Sequence, residues 1–304
     1  MAEPVLVHAE VAAALADERP VVALESTIFS NLGLPAPHNG DALTSCLDTI
    51  RAGGAVPAVT AVLDGRARVG LEPAEHERIL GSARKTGVRE LGLAVGQGWS
   101  VGATTVSASL QLAAMVGITV FATGGIGGVH RGAETDFDIS ADLAAIAAHA
   151  VLTVCAGPKY FLDLPATLEV LETSGVPVVG LACDELPAFY SPHSGLPIPA
   201  RVDDVQELAA VTRSHWALGG GGVLVTVPLP EEAAIDRAEL DRILESALER
   251  ARAEHRRGGA ITPVILEETA RLTAGRSVAA NLALATNNAR VAAHTAVVLA
   301  SPVG

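Results

Sequence analysis

Short β-branched runs alternate with longer alanine-rich stretches along most of this 304-residue chain, and that alternation constrains its fold more than any other feature. Val21–Leu24, Val56–Leu63, Ile118–Ala122, Val151–Cys155, Val176–Leu181 and Val223–Val227 read as strands. Val5–Asp17, Asp41–Arg51, Pro73–Arg84, Thr105–Val116, Ala141–Ala150, Phe161–Thr173 and Asp204–Leu218 read as helices. Glu231–Ala300 reads as further helices, broken near Gly258-Gly259 and near Gly275. Gly53-Gly54, Gly117 and Gly175 suit left-handed helix ends. Asp64-Gly65 joins Val56–Leu63 to Ala67–Leu71 as a hairpin. Strands alternating with helices imply a mostly parallel sheet covered on both faces. No internal repeat or flexible linker divides the chain, so one α/β domain over residues 1–304 is expected. Functional groups should then lie at the carboxyl ends of the strands.

Composition removes several function classes. With 49% hydrophobic residues the chain is no disordered segment. A net charge of −13 repels a phosphate backbone, and nine aromatics (Phe 5, Trp 2, Tyr 2) make a poor stacking platform, which argues against a general nucleic-acid binder. Cys46, Cys155 and Cys183 are odd in number and form no CxxC pair, so neither a disulfide framework nor a zinc ribbon is expected, and a reduced, cytoplasmic setting fits. The start, Met-Ala-Glu-Pro, does not read as a signal peptide. The run from Ala144 to Gly157 is too short to span a bilayer.

Among the 21 basic residues only two are lysines, Lys85 and Lys159. An amine can lose its proton and act as a nucleophile, which a guanidinium cannot. Lys159 follows the strand Val151–Cys155, where a lysine is ordinarily a solvated loop residue but where burial would free its lone pair for Schiff-base chemistry. Glu25 follows Val21–Leu24 and is placed for proton transfer, or else serves as an acid at a helix N-terminus. Lys85 reads as a cation at a helix end. The Gly124–Gly128 loop follows a strand and lets backbone amides approach a phosphate, although it breaks the GxGxxG pattern at the third glycine. A tight structural turn explains the same glycines equally well, and His130 and Arg131 at its end favour an anion site. Asp136, Asp138, Ser140 and Asp142 alternate in a way that suits a hard cation, but Ala141 and Ala147 stand where an EF-hand needs Gly and Glu. Taken alone, that stretch reads as a helix start capped by Ser140.

Several stretches together resemble the pseudouridine-5′-phosphate glycosidase family. They include Ala23-Leu24-Glu25-Ser26-Thr27-Ile28, Gly54–Ala58, Val62–Gly65, Gly102–Val106, the long run Val120–Leu143, and Val154–Lys159. Leu171–Thr173, Pro187–Tyr190, Ala280-Asn281 and Asn287–Ala289 extend the resemblance over nearly the whole chain. It implies a three-layer α/β/α sandwich with a mostly parallel central sheet, a homotrimer, and the use of Mn²⁺. The implied reaction is reversible cleavage of the C-glycosidic bond of pseudouridine 5′-phosphate to uracil and ribose 5-phosphate. A C-glycoside has no leaving heteroatom to protonate, so the usual two-carboxylate scheme is ill suited. An imine between Lys159 and the opened ribose supplies an electron sink instead.

By the resemblance, Lys159 is the nucleophile and Glu25 the proton donor. Asp138 holds the manganese through waters, and Ser140 and Asp142 contact ribose or metal-bound water. Lys85 and the backbone of Val106 bind substrate. Thr123, His130 and Asn288 contact its polar groups. The chain departs from the family pattern after Lys85 (Thr86–Leu91), at Val227 before Pro228, and at Pro158. Two other readings share some of these residues: a Schiff-base aldolase acting on another sugar phosphate, and a non-catalytic phosphometabolite-binding protein. Product analysis separates the first. Trapping of a covalent adduct at Lys159 excludes the second.

Overall fold

The computed structural model describes residues 5–254, 256 and 261–301. The expected break at Gly258-Gly259 lies outside the described residues. In chain order the strands are β1 (Val5–Val7), β2 (Val21–Leu24), β3 (Val56–Leu63), β4 (Arg66–Val69), β5 (Arg84–Thr86), β6 (Val101–Thr104), β7 (Val120–Ala122), β8 (Leu152–Cys155), β9 (Val178–Leu181), β10 (Ala200–Val202) and β11 (Val223–Thr226). The helices are α1 (Ala9–Ala16), α2 (His38–Ala52), α3 (Pro73–Leu80), α4 (Val88–Gly96), α5 (Val106–Val116), α6 (Ala133–Asp136), α7 (Ala141–Ala148), α8 (Leu164–Thr173), α9 (Val205–Ala217), α10 (Arg237–Ala253), α11 (Ile261–Leu272) and α12 (Arg276–Ala300).

Among the described residues one sheet runs β1-β4-β3-β2-β7-β8-β11-β9-β10, with β6 on β3 and β5 on β6. From β3 to β10 along that order neighbouring strands are parallel. The long β3 joins two regimes. Val56–Val59 pair in parallel with β2, and Thr60–Leu63 pair antiparallel with β4. Every residue of β2, β3, β7, β8 and β11 is buried. That uniform burial is the mark of a sheet with helices on both faces, and it is why these strands read as unbroken apolar runs. Helix α12 packs on β2, β7 and β8, flanked by α2 and α9. The α5–α7 pair covers β2, β3 and β11. The mostly parallel α/β architecture expected from sequence is therefore the observed one.

The Asp64-Gly65 turn has positive φ at both residues (50° and 69°), the geometry that a two-residue hairpin loop needs. Gly117 closes α5 in the left-handed region at φ 85°. Three expectations need correction. Val5–Val7 leave the predicted first helix to form β1, paired in parallel with β4. The helix starts only after His8, whose Nδ1 accepts the Glu10 N–H at 3.2 Å. The helix predicted over Pro73–Arg84 stops at Leu80, and Arg84–Thr86 form β5, so Lys85 stands on a strand and not at a helix end. Helix α4 and strands β6 and β10 carried no signal strong enough to predict. Strands of three or four residues are too short to show a period.

Candidate active site

Strands β2, β7 and β8 lie side by side, and their carboxyl ends build the site. Leu24 pairs with Ala122, so the next residues, Glu25 and Thr123, emerge together. The Thr123 hydroxyl donates a hydrogen bond to Glu25 Oε1. Glu25 is buried, and with Thr123, Ile28, Phe29, Cys46 and Ala285 it lines a cavity of about 10 Å³, room for the centre of one water. Burial raises its carboxyl pKa to about 7. The Thr123 hydrogen bond and the Lys159 and Lys85 cations pull it down, while the Asp142 carboxylate pushes it up.

Lys159 reaches the same place from β8. The loops after β7 and β8 are zipped together: Ala156 N–H donates to Gly124 O at 2.9 Å, Ile126 N–H to Gly157 O at 3.2 Å, and Lys159 N–H to Ile126 O at 3.1 Å. Gly125 lets these two loops meet, since a Cβ there would lie 2.8 Å from Gly157 O, and Gly157 in turn lies against the loop that holds Pro187. Gly157 has φ +84°, and a Cβ there would lie 2.0 Å from Pro187 O. The departure at Pro158 is accommodated, because Pro158 bridges Ile126 without needing an N–H. The half-buried Lys159 side chain bears electrostatically on Glu25, His130 and Cys155. Burial pushes the Cys155 thiol up to about 12, so it is no competing nucleophile.

Lys85, exposed on β5, pairs with Ala103 of β6, the strand that feeds the N-terminus of α5. Its neighbour Arg84 stacks 3.4 Å over Trp99. Val106 is the first residue of α5; its side chain is buried, so it offers the site only its backbone.

Asp142 is buried and spends both oxygens on backbone amides. Oδ1 accepts Ser107 N–H at 3.0 Å and Oδ2 accepts Gly127 N–H at 2.9 Å. It thereby ties the start of α5 to the glycine loop. Ser140 caps α7, its Oγ accepting Asp142 N–H at 3.3 Å. A Cβ on Gly127 would lie 2.3 Å from that Oγ, so this glycine serves close packing. Asn288 is fully buried on α12, and its Nδ2 donates to Thr123 O at 2.8 Å and Gly124 O at 3.1 Å. It holds the loop that carries Thr123. Asp142→Asn sets an amide donor against a backbone donor, and should cost about 1–3 kcal/mol of stability, read as a lower urea midpoint.

Asp138 and His130 stand half-buried at the rim. His130 N–H donates to Asp138 O at 3.0 Å, and their side chains come to 3.8 Å, Nδ1 to Oδ2. Burial lowers the His130 pKa, with Lys159 and Lys85 adding to the effect and Asp138 opposing it. Among the described residues no three His, Cys, Asp or Glu side chains converge on one point. Asp138 therefore suits only an ion that keeps most of its shell as water or substrate oxygens. At Val227, the buried residue's N–H donates to Cys155 O at 2.8 Å, extending the β8–β11 ladder.

A hydroxyl network beneath the site gave no sequence signal. Thr60 Oγ1 lies 2.8 Å from both Thr104 Oγ1 and Ser109 Oγ, and Ser26 Oγ lies 3.1 Å from Thr104 Oγ1. Buried Ser and Thr read as ordinary core until their neighbours in space are known.

A buried carboxyl of raised proton affinity, with a lysine bearing on it from two strands away in the same parallel sheet, is an arrangement suited to proton transfer in an α/β enzyme. Residues 10–298 match the family profile described as Indigoidine synthase A like protein. The pseudouridine-5′-phosphate glycosidase of Herpetosiphon aurantiacus is 52% identical over 95% of this chain and 96% of its own. That of Myxococcus xanthus is 49% identical over 96% and 97%. Among solved structures, the prealnumycin C-glycosynthase AlnA in complex with ribulose 5-phosphate superposes with TM-score 0.91 at 35% identity, covering 99% of this chain and 98% of that one. An indigoidine synthase A-like protein of Thermotoga maritima gives TM-score 0.87 at 34% identity, covering 98% and 97%. The chain belongs to the Indigoidine synthase A like, pseudouridine-5′-phosphate glycosidase family. No helix among the described residues is long and apolar enough to cross a membrane.

Proposed function

We propose that this enzyme reversibly cleaves pseudouridine 5′-phosphate to uracil and ribose 5-phosphate through a Schiff base on Lys159. The observation that carries the reading is that the Lys159 cation bears on buried Glu25, whose carboxyl, with a pKa raised to about 7, can hold or release a proton. The amine bonds to the anomeric carbon as the ring oxygen leaves with a proton. Glu25 protonates the uracil ring carbon, the carbon–carbon bond breaks, and the nitrogen lone pair forms C=N. Water then releases ribose 5-phosphate and restores the amine.

Lys85 and the backbone of Val106 at the start of α5 form the phosphate end of this proposed site, where the lysine cation favours an anion against the −13 charge of the chain, the next N–H of the helix, that of Ser107, being held by Asp142. Ser140 and His130 stand on the sugar side. Asp142, Thr123 and Asn288 act mainly by holding the loops and Glu25 in place. The solved fold that carries ribulose 5-phosphate supports a phosphorylated open-chain sugar as the ligand class.

We further infer that Asp138 anchors Mn²⁺ through waters, with His130 beside it. When bound, the ion would neutralise negative charge on substrate oxygens. Asp138→Asn should raise the Mn²⁺ concentration needed for half-maximal activity about tenfold or more, measured after chelation and readdition. The same reading places the protein as a homotrimer in a reduced cytoplasm, in keeping with its three free cysteines. Incubation with pseudouridine 5′-phosphate and Mn²⁺ should release uracil. Absence of uracil, with cleavage of simple aldol substrates instead, would move the assignment to an aldolase.

A further inference from the structure

Lys159 opens a tight turn. Its carbonyl accepts Leu162 N–H at 3.0 Å, and its own N–H is held by Ile126. Inside the turn Tyr160 and Phe161 are buried, their rings edge to face at 5.6 Å. The Phe161 carbonyl accepts Arg131 Nε–H at 3.3 Å. These contacts stay within the loops of the site, but another leaves them. The Tyr160 hydroxyl lies 2.6 Å from Thr269 Oγ1 on α11. Thr269 donates its own proton to Ile265 O at 2.6 Å, so the phenol is the donor in this pair. Burial pushes the phenol up to about 12, which keeps it protonated. The ring is also held sideways by Tyr190, at 5.8 Å.

A lysine amine sits at the end of a flexible four-carbon stem, so any rotation at its Cα is magnified at the nitrogen. The protein can fix the nitrogen's approach only by fixing the backbone it hangs from. Tyr160 does this from the next residue, against a helix outside the strand-end loops. We propose that Tyr160, locked by Thr269, is a positioning residue for the Lys159 amine and couples α11 to the covalent step. The proposal rests on Lys159 being the nucleophile.

The test compares Tyr160→Phe, Thr269→Val, Thr269→Ser and the Tyr160→Phe/Thr269→Val double variant. Turnover of pseudouridine 5′-phosphate is measured beside the rate of borohydride-trapped adduct with ribose 5-phosphate. Both single losses should lower kcat and the trapping rate on the order of tenfold, because small misplacements of a reacting atom are costly. KM should stay within about twofold. Thr269→Ser should restore the rate relative to Thr269→Val, and the double variant should be no slower than the slower single one. Wild-type kcat and trapping in both single variants, with only a lower melting temperature, would show a structural anchor and overturn the proposal. No adduct in the wild type would overturn the Lys159 assignment itself, and this proposal with it.

Discussion

Lys159→Ala should reduce uracil release by about 10⁴-fold or more and leave the fold intact. The amine forms the covalent bond, so nothing else can supply its lone pair. Cys155 is near in sequence, but its buried thiol stays protonated. Lys85 is on the exposed edge strand β5. Because the Lys159 side chain is only half-buried and makes no structural hydrogen bond in the described network, its truncation should scarcely move the melting temperature. Mass spectrometry after borohydride reduction with ribose 5-phosphate checks the role directly: the wild type gains the reduced sugar phosphate at Lys159, and the variant gains nothing. An equally labelled variant would refute the assignment. Lys159→Arg should be as inactive as the alanine variant, since a guanidinium keeps its proton.

Glu25→Gln should lower kcat by about 10²–10⁴-fold, the usual range for losing a positioned acid or base. In the wild type the protonated carboxyl is the donor, so turnover should fall as pH rises through about 7, and the variant should lose that limb. Stability should also fall as pH rises. The carboxyl's pKa in the folded protein, about 7, lies above its ordinary 4.5, so the folded state binds this proton more tightly than the unfolded chain. The wild type should therefore lose stability between pH 4.5 and 7 and bear the full cost, about 3 kcal/mol, above that. Glutamine carries no such charge, so Glu25→Gln should be the more stable protein at pH 8 and no more stable at pH 4. Denaturant unfolding at both pH values checks this. Equal stability at pH 8 would mean that Glu25 is not held in a desolvated site. The expected trade follows from function, since a group buried to tune its proton affinity weakens the fold that buries it.

The parallel core was legible because its signals are local. β2, β3, β7, β8 and β11 are runs of buried β-branched and small residues, and their uniform burial is written as uniform hydrophobicity. Lys159 and Glu25 were legible for a related reason: each directly follows or lies just beyond a readable strand, and strand ends are where α/β chemistry collects. Lys85 was misplaced because a three-residue strand has no period and an adjacent arginine imitates a helix end. Asp142, through both carboxylate oxygens, and Asn288, through its amide nitrogen, also hold backbone atoms of loops distant in sequence, a task that the sequence did not announce. Nothing in a one-dimensional pattern tells a polar side chain aimed at a ligand from one aimed at a carbonyl.

By itself, then, the sequence determined the class of fold, the two ionisable groups at strand ends and the family. Tertiary structure decided what surrounds those groups. The β2–β7 register sets Thr123 against Glu25, the zipped loops bring in Lys159, and Asp142 closes the cluster. A carboxyl's proton affinity depends on the water it has lost and the charges near it, and both are properties of three-dimensional neighbours. Residue type can offer an acid and an amine, but only packing can poise them.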